Sequence, residues 1–153
     1  MGVLNDYFRA RDDRDAARVR GHLGGPTAKG GDGAPPFDAV DAKGVDHTVV
    51  LGQLVALVRG VEWTPELSGG RLVAEASGHV DEGPWVVALD DATRDLLAGL
   101  SPESLPTLAA RWAEIEELGG VDPDELSPTL EALCALARRA RDQGEHLYEW
   151  CSL

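Results

Sequence analysis

Apolar positions along the chain repeat with two periods, and the clearest change between them comes near the C-terminus. Leu130, Leu133, Cys134, Ala137 and Ala140 recur at helical spacing, which predicts one helix with an apolar face. Ser127 followed by Pro128 is the expected start, because the hydroxyl can cap and proline at the first helical position loses no needed donor. Arg138, Arg139 and Arg141 gather at the end, where cations suit the helix dipole, and Gly144 supplies the stop. Residues 145–153 then alternate as a strand. Leu147, Cys151 and Leu153 form a core-facing set. His146, Tyr148 and Trp150 form the other, either a covered sheet face or the floor of a pocket. A second helical run, residues 47–59, carries Val50, Leu51, Leu54, Val55, Leu57 and Val58 behind an Asp46 cap. It is expected to be the buried central helix, with His47 as a capping or surface residue in its first turn.

The remaining pattern gives shorter elements. Residues 2–10 predict a first strand, and residues 12–20 a short charged helix with acids ahead of arginines. Residues 21–36 are rich in glycine, hold three prolines and have no hydrophobic period; they predict a mobile loop with nothing apolar to anchor it. A short extended piece at 37–43 follows, and a turn at 63–65. Strands are expected at 71–75 and 84–89. The second is a continuous apolar run and therefore an inner strand. Asp90 or Asp91 caps a helix at 92–98 that Gly99 ends. Ser101-Pro102 opens another, with its start shifted by Pro106 and Leu108, Trp112 and Ile115 as its buried stripe. Gly119-Gly120 stops it, and Asp122-Pro123 begins a short turn leading to Ser127. The order predicts a single α+β domain over 1–153, with a small mixed or antiparallel sheet against several helices.

Composition alters this picture mainly through charge. The net charge is −13, and 43% of residues are hydrophobic. Residues 1–60 balance, with eight basic and eight acidic side chains, whereas residues 61–153 carry six against nineteen. Between Arg111 and Arg138 there is no base at all, only Glu114, Glu116, Glu117, Asp122, Asp124, Glu125 and Glu131. Such a surface repels nucleic acid and anionic lipid and attracts basic proteins. It can equally be a solvated face. No N-terminal stretch reads as a signal peptide and no run is long enough to span a bilayer, which predicts a soluble cytoplasmic protein.

Chemical motifs are sparse. Two cysteines, Cys134 and Cys151, are expected to stay reduced. The four histidines lie far apart, without HExxH spacing, and the Asp122–Glu125 run lacks the glycine of a calcium loop, so no metal or cofactor is expected. Gly30-Gly31-Asp32-Gly33 is not framed as a P-loop, and no GxSxG elbow is present. If an active site exists, its candidates are His146 and Tyr148, with Trp150 as a wall and Asp90 or Asp91 from a neighbouring strand end. Imidazole paired with a carboxylate is the usual general base at neutral pH.

The start MGVLNDYF, the segment VDAKGVDHTVVLGQLVALVRG, the strand–cap–helix WVVALDDATRDLLAGL and the end LEALCALARRARDQGEHLYEW resemble the YfbM-like family of small bacterial proteins. The resemblance is one of order and pattern, with few identical residues. It implies a single α+β domain whose last helix and strand join the core, and it carries over no catalytic residue. The glycine-rich loop and a central helix poor in aromatics depart from that family.

Three functions follow as expectations. The first is an interaction protein that uses Glu114, Glu116, Glu117, Asp122, Asp124, Glu125 and Trp150 toward a basic protein partner. The second is a hydrolase or transferase of small molecules, built on the His146, Tyr148 and Trp150 face. The third is a subunit of a homo-oligomer. Whether the His146 face is open or covered separates the first two.

Overall fold

Two strands, β1 (Leu4–Ala10) and β5 (His146–Ser152), run antiparallel side by side and form the spine of the molecule, whose computed structural model describes residues 2–153. On the outer side of β1 lies β2 (Ala39–Asp41). On the outer side of β5 lie β4 (Trp85–Ala88) and then β3 (Arg71–Leu72), so the antiparallel order is β2-β1-β5-β4-β3. The strand joining the sheet last in sequence is therefore its centre. The fold is α+β.

Register assigns the faces. Tyr7 opposes Glu149 and Arg9 opposes Leu147 on one side, while Asp6 opposes Trp150 and Phe8 opposes Tyr148 on the other. Against the first face pack α2 (Val50–Arg59), α3 (Asp91–Ala98), α4 (Leu105–Trp112) and α5 (Pro123–Asp142). Leu51, Leu54, Trp112, Leu130, Leu133 and Leu136 make the centre of that core, all within 2% of full burial. Trp112 donates its indole N–H to the Val50 carbonyl at 2.9 Å, which satisfies the one polar atom of a fully buried ring. The second face is covered by the chain's own N-terminal third. Here α1 (Asp13–Ala16), a 3-10 turn over Ala17–Gly21 and Phe37 close over Phe8, Val86, Tyr148 and Trp150. Phe8 stacks between Phe37 and Tyr148, with ring centroids 4.8 and 5.4 Å away.

Several expected elements shift. The last helix begins at Pro123, capped by the Asp122 carboxylate on the Asp124 N–H, and not at Ser127. Pro123 takes the first position, and Ser127 turns its hydroxyl back to the Pro123 carbonyl, so both prolines sit in one continuous helix. Residues 12–20 give one α-turn and a 3-10 turn. Asp46 does accept from the Val49 and Val50 N–H groups, yet the α2 helix proper starts at Val50. Residues 71–75 yield only a two-residue strand before a 3-10 turn at Ala74–Ala76. Pro106 sits in the first turn of α4, where it breaks nothing, and the helix ends at Trp112, so Ile115 packs from the following turn. Leu153 is 73% exposed and is not core; it lies past the end of β5, where no strand pairs it. Gly144 takes the left-handed conformation expected of it, φ 66°.

Residues 21–36 are anchored more than their composition suggests. Thr27 donates its hydroxyl to Asp6 at 2.8 Å, and Gly25 and Pro26 are buried. Gly25 lies with φ 79° against the Trp150 ring, where a Cβ would come within 2.8 Å of it, so only glycine fits.

Candidate functional site

The His146–Tyr148–Trp150 row divides between the two outcomes open to it. Trp150 is 3% exposed under the Gly25 loop, as core. At the other end, the sheet opens beside α1 into a cleft of about 510 Å³. Its floor is Ala88, Leu89, His146 and Tyr148, and its rim is Asp12, Asp13, Arg14, Arg71, Asp90 and Asp91. Four of the candidate residues, His146, Tyr148, Asp90 and Asp91, thus share one concave surface, and Trp150 does not belong to it.

Each group in the cleft is held by an adjacent element. His146 places Nδ1 2.7 Å from an Asp91 carboxylate oxygen at the start of α3. Arg94, one turn along, braces the same oxygen at 3.3 Å and donates to the Glu145 carbonyl at 2.7 Å. The Tyr148 hydroxyl donates to Asp13 at 3.0 Å, and Arg71 clamps that carboxylate through both terminal nitrogens at 2.8 and 3.0 Å. The Arg71 hydrogen bonds hold the Asp13 carboxyl below its usual range, while burial and the Asp13 charge push the Tyr148 phenol well up. Tyr148 is therefore a proton-bearing donor at neutral pH. Asp13 and Arg71 were not foreseen, because nothing in a lone arginine on a short edge strand marks its partner.

Sequence reasoning also missed a buried polar cluster on the helix face. Glu149, 1% exposed, receives a hydrogen bond from the Asn5 amide at 2.8 Å and meets His47 Nδ1 at 2.5 Å. His47 Nε2 lies 3.0 Å from the Thr48 hydroxyl, and the Gly44 N–H donates to Asn5 at 3.2 Å. His47 is thus neither cap nor free surface residue; it partners a carboxylate sunk in the central strand. A signal was present: Glu149 lies between Leu147 and Cys151 on the core side of β5, and a buried acid needs a partner. Every buried side-chain polar atom among the described residues has one. Of the cysteines, Cys134 is buried and Cys151 half-buried; both are free, and burial pushes both thiols up to about 11.

The six acids Glu114, Glu116, Glu117, Asp122, Asp124 and Glu125 are all exposed, on the segment between α4 and α5 and on the first turn of α5. Asp122 caps α5, and Asp124 and Glu125 lie at its positive end. Glu117 accepts from the Gln53 amide at 2.8 Å. Among the described residues none of the six is ion-paired, while several acids elsewhere are, Asp38 for instance lying between Arg9 and Arg139 at 2.6 Å each. Beside this ledge, α2 and α4 leave a groove of about 450 Å³ lined by Leu57, Val58, Leu100 and Leu108, with Arg111 at its edge. The Gln53 that bonds Glu117 lies one helical turn before Leu57 of that groove.

No group of three or more metal-ligating side chains is gathered among the described residues, and no helix there is long and apolar enough to cross a membrane. No family model matches the chain, and neither a curated protein nor a solved structure is significantly similar to it.

Proposed function

We propose that the protein acts by binding a basic protein partner at the acidic ledge between α4 and α5. The observation that carries this reading is the concentration of charge: six exposed carboxylates, without a counter-charge among the described residues, stand beside an apolar groove. Dense like charge costs stability through self-repulsion and raises the rate of encounter with an oppositely charged surface. The groove offers Leu57, Leu100 and Leu108 to apolar side chains of the same partner, giving the desolvated centre that a charged rim alone lacks. The reading takes the chain as a YfbM-like protein, supported by the order of its segments and by a last helix and strand built into the core.

The test is a paired affinity capture from the source cell with wild type and a Glu116→Lys/Glu117→Lys/Asp124→Lys variant. Basic proteins held by the wild type should be missing from the variant's eluate. Their association should slow several-fold as salt rises, because exposed charges are screened beyond about 8 Å at physiological ionic strength. Identical captured sets from the two proteins, with both still folded, would sink the proposal.

A further inference from the structure

The cleft at the His146 end of the sheet shares no lining residue with that ledge or groove. Most of its charged groups are already committed to one another. Asp13 is paired with Arg71 and accepts from the Tyr148 hydroxyl, and Asp91 is paired with Arg94 and lies 2.7 Å from His146 Nδ1. Asp12 turns one oxygen to the Asp15 N–H of its own helix. Two groups remain uncommitted among the described residues. The Arg14 guanidinium, on α1, makes no ion pair or hydrogen bond, and neither does the Asp90 carboxylate, at the β4–α3 junction. Both are exposed, and both line the same cleft. Asp90 holds the N-cap position of α3, but its side chain makes no hydrogen bond to the first turn and lies close over Gly69. The apolar Ala88 and Leu89 and the side chains of His146 and Tyr148 line the same cleft.

We propose that this cleft binds a small zwitterion, a free amino acid or a dipeptide, with its carboxylate on Arg14 and its ammonium on Asp90. One free charge of each sign on a common rim matches a ligand with one of each. A singly charged ligand would leave one of them unanswered. Arginine is suited to the carboxylate, because its planar fork meets both oxygens at once. The volume of about 510 Å³ is within the range of small-molecule sites and admits two residues. His146 has Nε2 without a partner among the described residues, so it is available to the ligand's peptide group.

The test is a titration of the full chain with L-alanyl-L-alanine, followed by backbone and imidazole resonances. The expected result is saturable binding, with shifts at residues 88–91 and 146–148. Acetylating the peptide's amine or amidating its carboxylate should each weaken binding about tenfold, some 1.4 kcal/mol, and so should Asp90→Asn and Arg14→Ala. Melting temperatures of both variants should match the wild type, since each residue is exposed. The ledge variant Glu116→Lys/Glu117→Lys/Asp124→Lys should bind the dipeptide unchanged, which keeps this result separate from the fate of the partner reading. Absence of saturation by about 10 mM dipeptide, a range where even weak sites fill, would overturn the proposal. Equal binding of the capped peptides, or shifts confined to the ledge, would overturn it as well.

Discussion

The two ends of the molecule treat the same side chain in opposite ways. Around the cleft, most carboxylates are answered, Asp13 by Arg71, Asp91 by Arg94 and the His146 ring, and Asp15 by Arg11 and Arg18, with Asp90 left free among the described residues. On the ledge, six exposed carboxylates have only an amide and a helix terminus as partners among the described residues. The first arrangement closes a sheet face, because the segment from Asp12 to Gly21 carries its arginines and aspartates into mutual contact over β5. The second adds little to the fold. A helix start favours Asp124 and Glu125 by a few tenths of a kcal/mol each and the capping Asp122 by about 1 kcal/mol, and Glu114 and Glu116 gain nothing comparable. What the difference teaches is where function is free to act: a carboxylate that holds no neighbour can be spent on a partner.

The sharpest way to break this comparison is through the element that serves both ends. The N-terminus of α5 carries part of the ledge, and its C-terminus leads into β5. Leu133→Ala, at 2% exposure, should cost about 2–5 kcal/mol in denaturant unfolding, and Leu54→Ala, fully buried in the same core, a similar amount. A loss below about 1 kcal/mol would mean that α5 does not organise the fold.

A smaller effect, about 2 kcal/mol, is expected for His47→Ala. It strands Glu149 in the core with Asn5 as its remaining partner, and the partial exposure of His47 limits the loss. Glu149→Gln in the same background should recover part of it, because an amide is cheaper to bury than a charge. Failure of that rescue would move the cost from charge to packing.

Protonation separates paired from poorly paired acids. Asp6 is 5% exposed, and its partner is the neutral Thr27 hydroxyl. Burial, with the nearby Asp41 charge adding to it, pushes its carboxyl up to about 6. A raised carboxyl stabilises the fold fully below the unfolded value near 4, and that contribution is lost as pH rises through about 6. Asp6→Asn should therefore gain stability over wild type on going from pH 4 to pH 8, by about 1 kcal/mol. Asp15 behaves the other way. Burial alone would raise it, but the Arg11 N–H and the Arg11 and Arg18 side chains outweigh burial and hold it at about 2. Its contribution is present above the unfolded value and is lost as pH falls from about 4 toward 2, so Asp15→Asn should flatten the acid limb of the stability curve. Parallel pH profiles for both variants and wild type would contradict these assignments.

The smallest expected change is on the ledge. Glu116→Lys/Glu117→Lys/Asp124→Lys should alter stability by no more than about 0.5 kcal/mol, and in the stabilising direction if self-repulsion dominates. A large loss in a thermal melt would show that these acids hold the fold after all, and would erase the contrast between the two ends.

What the sequence determined by itself is local. The apolar face of α5, the Gly144 stop, the alternation of β5 and the inner position of β4 all rest on period and punctuation, which neighbours in sequence supply. Charge placement was legible too, since exposed carboxylates need nothing from the rest of the chain to be where they are. Tertiary structure decided which side of an alternating strand was covered. His146, Tyr148 and Trp150 read alike along β5, yet Gly25 packs on Trp150 while the wall over His146 is missing. It also decided the pairings of Asp13 with Arg71 and of Glu149 with His47, whose members stand 58 and 102 positions apart. The physical reason is that a buried charge takes whichever partner the fold brings within hydrogen-bond reach, and such reach across a sheet is set by register and crossover, which no local pattern encodes.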